Sequence, residues 1–290
     1  MKASELDIYV LAEDYAGFNS VGLLAQHGLS ILIRAVSPSG KSSYILFDVG
    51  QVGDAIIRNS EILGLNLRNI DTVVFSHSHY DHTGGMPEIT KYVGKRLFLI
   101  AHPDILKPVI HIGKESVRLN IGLRYNINEL NNVTPILTKD SLEIAPGVYF
   151  LGEIERDERF VPKIEGLYTV INGKLTENKI KDDTGIAINV EGLGVIVVSG
   201  CSHSGIVNIV RQACKITNES PYLVIGGFHL IESRDDFIKD VANELKRLGV
   251  DSIVTGHCTG LRAEYILSEV FKDKFTKMHV GLHIHLRSRR

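Results

Sequence analysis

The sequence has no tryptophan, and only three cysteines and three methionines among 290 residues. Three thiols, Cys201, Cys214 and Cys258, cannot build a full disulfide framework, which points to a reducing compartment. Two of them sit beside histidines, where a thiol serves as a ligand, a neighbour or a small buried filler. No stretch approaches the roughly 18 uncharged apolar residues a membrane span needs, and the opening MKASELDIYVLAEDYAG has no apolar signal-peptide core after its lysine and carries acids throughout. An excess of one charge is also missing. Lys plus Arg (32) and Asp plus Glu (34) leave a net −2, without the positive field that nucleic acid or anionic membrane binding requires. These absences leave a cytoplasmic protein with a small-molecule partner, compatible with a homo-oligomer.

What is present is a globular composition, 44% hydrophobic and 23% charged, in a chain able to bury a sizeable core as one domain. Residues 29–36 and 43–47 read as a hairpin around Ser37-Pro38-Ser39-Gly40-Lys41. Residues 52–63 then read as a helix, 71–76 as a buried strand, 83–93 as a helix and 96–101 as a strand. The second half repeats this logic, with strands at 185–190, 194–199, 222–225 and 252–255 and helices at 206–216, 235–248 and 264–271. Between the halves, residues 106–180 are less regular and read as an inserted segment or lid.

Four of the strands run into a histidine-bearing loop: Val73-Val74-Phe75-Ser76 into His77, Val197-Val198-Ser199-Gly200 into Cys201-Ser202-His203, Val224-Ile225-Gly226-Gly227 into Phe228-His229, and Ile253-Val254-Thr255-Gly256 into His257. Carboxyl ends of strands in an α/β sheet share one edge, so these loops converge. The first is the densest. His77-Ser78-His79-Tyr80-Asp81-His82 packs three imidazoles and a carboxylate into six positions, the donor types that hold Zn²⁺ and related ions. His77 and His79, two apart on extended chain, point the same way, and the turn through Asp81-His82 swings a second pair towards a neighbouring ion. At least six N/O donors on one edge predict one or two metal ions.

This stretch matches the HxHxDH signature of the metallo-β-lactamase superfamily, and Phe47-Asp48-Val49-Gly50 matches its upstream aspartate motif. Together with Ala25-Gln26-His27-Gly28-Leu29-Ser30, Gly200-Cys201-Ser202-His203-Ser204-Gly205, Gly226-Gly227-Phe228-His229-Leu230 and Gly256-His257-Cys258-Thr259-Gly260, the chain resembles, over nearly its whole length, the 7,8-dihydropterin-6-methyl-4-(β-D-ribofuranosyl)aminobenzene-5′-phosphate synthase family. The resemblance implies a four-layer αββα sandwich of α/β class. It also implies zinc in one or two sites, with Mn or Fe as alternatives. His77 and His79 would hold the first ion and Asp81 and His82 the second, and His257 would correspond to the last superfamily histidine. The remaining ligand is open between His203, Asp183 and Cys201, in that order. Asp81 would also take part in catalysis, His229 would contact substrate, and Asp48 would steady the ligand loops by accepting hydrogen bonds.

For the substrate, Lys107, Lys114, Arg118 and Arg124 against Glu115 make a basic stretch suited to phosphate, with Arg118 and Arg124 as the candidate clamps. The expected activity is a synthase acting on a phosphorylated or anionic compound such as a pterin derivative. A metal-dependent hydrolase of phosphoesters or other esters is the alternative, and a non-catalytic metal-dependent sensor a third reading. Ser39-Gly40-Lys41-Ser42 is rejected as a phosphate loop because Ala35 stands where the first glycine is needed.

Overall fold

The computed structural model describes residues 1–113, 116–118 and 120–288, with Arg118 by its backbone alone. Two seven-stranded sheets lie face to face. The first runs His283–Arg287, Glu5–Ala12, Ser30–Val36, Ser42–Phe47, Thr72–Val74, Leu97–Ala101 and Val133–Leu137 from edge to edge. The second runs Phe275–Lys277, Ser252–Gly256, Pro221–Gly227, Gly194–Ser199, Gly185–Val190, Val148–Phe150 and Leu142–Ala145. Alternation decides which side chains meet between them. Leu6, Ile8 and Val10 of one strand point inward with Ile31, Ile33 and Phe47 against Ile186, Ile188, Ile196 and Ile225 of the other sheet.

The outer faces are covered by helices, giving four layers. Ile56 of helix Gly53–Ile62 and Met86 and Ile89 of helix Met86–Val93 pack on Leu32, Leu46 and Val73 of the first sheet. Helices Ile206–Thr217, Asp235–Arg247 and Leu261–Phe271 bury Ile209, Val241, Leu245 and Leu267 against Val197, Val224 and Ile253 of the second. The strand Gly185–Val190 is buried along its whole length, as a strand covered on both faces must be. Among the described residues no helix is long and apolar enough to cross a membrane.

Three features differ from the sequence reading. Glu5–Ala12, not among the expected strands, pairs with two neighbours in the first sheet. The helix expected over 83–93 begins only at Met86 and follows a separate one-turn helix, Tyr80–Thr83. Gly84 and Gly85 intervene, pressed so close that a Cβ on Gly85 would sit 2.3 Å from the Val49 carbonyl. Residues 106–180 are not all outside the sandwich, since Val133–Leu137, Leu142–Ala145 and Val148–Phe150 complete the two large sheets. The rest forms a small third sheet of Lys174–Glu177, Leu167–Ile171, Ile110–Ile112 and Val117–Arg118.

Central strands pair parallel, Thr72–Val74 with both its neighbours and Pro221–Gly227 with both of its own. Their carboxyl ends therefore emerge together at one edge of the sandwich. Gly28 enters that edge at φ +128°, where a Cβ would lie 2.1 Å from the Asp81 carbonyl. Gly28→Ala is expected to cost about 2 kcal/mol or more and to lower the thermal midpoint by several degrees. An unchanged midpoint in calorimetry would show that this close approach is not required.

Candidate metal centre

Every strand end at this edge delivers a polar side chain. His77 and His79 follow Thr72–Val74, Asp81 and His82 ride on the one-turn helix Tyr80–Thr83, and Cys201 and His203 follow Gly194–Ser199. His229 and His257 follow the next two strands. Four non-glycine residues here, Asp48, Ser202, His229 and His257, adopt left-handed backbone with φ between +47° and +63°. Such strain, of order 1 kcal/mol or more each, persists only where surrounding structure enforces it.

Two groups of donors result. His77 Nε2 lies 3.0 Å from His79 Nδ1 and 3.2 Å from His203 Nε2. Three nitrogens held about 2.0–2.1 Å from a tetrahedral ion would stand roughly 3.3–3.4 Å apart. In the second group His82 Nε2 is 3.2 Å from His257 Nε2. Asp81 Oδ2 lies 3.5 Å from the first and 3.4 Å from the second. His27 Nε2 approaches the same carboxylate oxygen at 3.5 Å. Between the groups sits the Cys201 thiol, 3.1 Å from His82 Nε2 and clustered with His77 and His82 as well as with His203 and His229.

The electrostatics favour a cation. Burial, reinforced by neighbouring imidazoles, pushes His77 and His203 well below the usual histidine value. Burial takes His79 to about 4. All three are neutral at pH 7, so each ring has one lone-pair nitrogen to offer an ion. His203 Nδ1 and His79 Nε2 are buried with no hydrogen-bond partner. Burial also disfavours the charged Asp81, but His82 and His257 beside it outweigh that and hold its carboxyl well below the carboxylate range. For His257 burial is again opposed, here by Cys258, Asp14 and Asp81, which raise it well above the usual value. These residues fit one or two divalent ions.

Outer contacts aim the donors. Asp48, fully buried, accepts hydrogen bonds from Ser76 N (2.8 Å) and Ser76 Oγ (2.7 Å), and lies 2.7 Å from His82 Nδ1. Ser76 Oγ in turn meets His77 Nδ1 at 2.9 Å. Asp14 contacts His257 Nδ1 and also His27 Nδ1, the latter at 2.8 Å. Glu13, buried beneath, accepts the His257 backbone N–H at 2.6 Å. Such carboxylate–imidazole pairs select the tautomer and orientation of a ligand.

Not every candidate residue joins a donor group in the same way. Asp183 is fully buried, and its Oδ2 accepts from the backbone and hydroxyl of Ser204 in the His203 loop. Its Oδ1 has no partner. His229 holds its ring 4.2 Å from that of His203, tilted by 52°, and lines the cavity over the centre. Arg124 lays its guanidinium 3.9 Å over the Tyr80 ring, which lines the same cavity. The side chain of Arg118, like Lys114 and Glu115, lies outside the described residues. Lys107 is paired with Asp104 at 2.6 Å. His27, Asp14 and Glu13 are additions that the sequence reading did not assign; the sole signal was His27 within Ala25-Gln26-His27-Gly28.

The cavity has a volume of about 320 Å³, with His79, Asp81, Cys201, His203 and His257 on its floor side and Ile121, Ile164 and Leu167 of the third-sheet region opposite. It is large enough for a substituted heterocycle.

The chain is similar to known proteins over most of its length. The family model described as the metallo-beta-lactamase superfamily matches residues 25–210. The 7,8-dihydropterin-6-methyl-4-(beta-D-ribofuranosyl)-aminobenzene-5'-phosphate synthase of Methanocaldococcus jannaschii is 41% identical over 97% of this chain and 96% of its own length. An uncharacterized protein of the same organism is 31% identical over 89% of the chain and 92% of its own. A solved structure described as a metal-dependent hydrolase of the beta-lactamase superfamily superposes with a TM-score of 0.82 at 27% identity, covering 98% of this chain and all of that one.

Asp183 generates a prediction about pH. Burial raises its carboxyl from 3.8 to about 6, so the folded state holds this proton more tightly than the unfolded chain. The resulting stability is present below pH 3.8 and is lost as pH rises through about 6, a swing of about 3 kcal/mol. In the metal-free protein, the stability difference between wild type and Asp183→Asn should therefore shift in favour of the variant from pH 4 to pH 7. A pH-independent difference in denaturant titrations would show that the carboxyl is not desolvated as described.

Proposed function

The chain belongs to the metallo-β-lactamase superfamily and is one of its metal-dependent enzymes, and from that premise we propose that it acts on a phosphorylated aromatic or heterocyclic small molecule such as a pterin derivative, performing the kind of synthase reaction that the archaeal relative's name describes. The observation that carries this reading is the juxtaposition of two donor groups with a cavity lined by Tyr80, the residue whose ring also holds the Arg124 guanidinium. His77, His79 and His203 would hold one ion, and Asp81, His82 and His257 a second, with His27 beside it and the Cys201 thiol between the two. Zinc suits this nitrogen, carboxylate and thiol set, with Mn or Fe as alternatives.

Bound divalent ions supply Lewis acidity and a water of lowered pKa. The chain's own residues do the rest. Asp48 and Ser76 keep imidazoles of both groups pointed inward, and Asp14 does the same for His257 and His27. His229 faces the cavity. Burial disfavours its charged form, but Cys258 beside it outweighs that and raises its pKa, so it can keep a proton for a leaving or forming group nearer neutral pH. The small third sheet with its connecting loops acts as a lid that excludes water. Arg124, held over the Tyr80 ring though not itself a wall of the cavity, would give charge-assisted hydrogen bonds to a phosphate that extends past Tyr80. Hydrolysis is the second reading, supported by the description of the full-length structural neighbour. Product analysis separates the two, since a synthase joins two reactants where a hydrolase consumes water.

Elemental analysis of the purified or reconstituted protein is expected to find between one and two equivalents of Zn, Mn or Fe. His77→Ala and His82→Ala should each deplete a different ion, and equal loss of both metals in each variant would refute the partition. Arg124→Ala should lower kcat/KM for a phosphorylated substrate by about tenfold to a hundredfold and leave its dephosphorylated analogue little changed. Equal effects on both compounds would remove Arg124 from phosphate recognition.

A further inference from the structure

A second cluster of metal-ligating side chains lies away from the cavity. His283 and His285 alternate on the strand His283–Arg287, so both project from the same face. Asp7 stands opposite His285 in the antiparallel register, and Tyr9 opposite His283. Asp7 Oδ1 lies 2.9 Å from His283 Nε2 and 2.8 Å from His285 Nδ1, and the donor atoms of all three residues fall within 4.8 Å of one another. Donors sharing an ion at about 2.0–2.2 Å stand roughly 2.9–3.5 Å apart, so both carboxylate–imidazole pairs already stand near ligand spacing and the two imidazoles lie within reach of a common ion.

We propose that Asp7, His283 and His285 form a separate binding site for a single divalent ion of the zinc, nickel and copper class. Two imidazoles and one carboxylate are the donor set such ions prefer over Mg²⁺ or Ca²⁺. The site is preorganised. The His283 ring stacks on Tyr9 at 4.1 Å and 6°, which holds its orientation. Arg34 donates to Asp7 Oδ2 at 2.8 Å, which keeps Oδ1 turned to the histidines. Asp7 itself is 6% exposed, whereas His283 and His285 keep 42% and 39% of their side chains in solvent. An ion can therefore enter from the surface and complete its shell with water. Binding requires each imidazole to move its proton to the ring nitrogen that faces away from Asp7, which costs little where that nitrogen is hydrated. Asp7 and Asp14 are seven residues apart, roughly 20 Å of extended chain, and none of Asp7, His283 and His285 lines the cavity. A bound ion would fasten the carboxy-terminal edge strand to the sheet.

The test uses the full chain with its catalytic centre loaded and then dialysed free of excess metal. Titration with Zn²⁺ against a chromophoric chelator should show one more equivalent in wild type than in His283→Ala/His285→Ala, with equal turnover in both. Zn²⁺ should also raise the thermal midpoint of wild type more than that of the variant. If the double variant does not fold, Asp7→Asn, which preserves shape, should weaken the extra equivalent at least tenfold. Identical Zn²⁺ uptake and identical midpoint shifts in wild type and in whichever variant folds would overturn the proposal.

Discussion

The Asp48 carboxylate is the interaction on which the rest of the centre depends. It is sealed from water and carries three contacts, two from Ser76 and one with His82. A buried carboxylate left without such partners would cost several kcal/mol, so its donors and its own left-handed backbone are mutually enforced. Because Ser76 passes the contact on to His77, one carboxylate orients a ring in each donor group. The second sheet closes on this hub through Gly200, where a Cβ would come within 2.1 Å of Ser76 Oγ and 3.3 Å of Asp48 Oδ2. The two halves of the sandwich therefore meet at this carboxylate as well as in the apolar layer between them.

The two donor groups differ in charge although they share a thiol neighbour. The trio of His77, His79 and His203 is made of neutral rings kept neutral by burial. The other group contains the Asp81 carboxylate and is backed by Asp14. A neutral nitrogen set and an anionic mixed set attract a divalent ion with different strength and admit different partners.

The chemistry-bearing loops were legible because each follows an apolar strand run, and because His77, His79, Asp81 and His82 are close enough in sequence for spacing alone to carry the pattern. Strand pairs such as Gly185–Val190 with Gly194–Ser199 were legible for the same reason, being short apolar runs separated by a turn. Partners separated by most of the chain were not. Asp14 meets His257 across 243 positions, and Glu5–Ala12 ends in two ordinary-looking acids whose role appears only when the sheet brings them beside the last histidine loop. Cys201 ranked last among the three candidates for the remaining ligand since buried thiols are usually filler, and its central place depends on three separate strand ends meeting. The strands of 106–180 were obscured by their polarity and brevity. Gly84 and Gly85 look tolerable inside a helix, and the sequence does not reveal the Gln51 and Val49 carbonyls that press on them and leave no room for side chains.

The third sheet and its loops do more than roof the cavity. The Ile121 carbonyl accepts from Tyr80 N at 2.9 Å, and the Tyr125 hydroxyl donates to the Thr83 carbonyl at 2.8 Å. These bonds grip both ends of the single helical turn that presents Asp81 and His82. The cavity mouth and two of the candidate donors thus share one short element that ends at the Gly84-Gly85 step, so the roof cannot be altered without loosening the hold on Asp81 and His82.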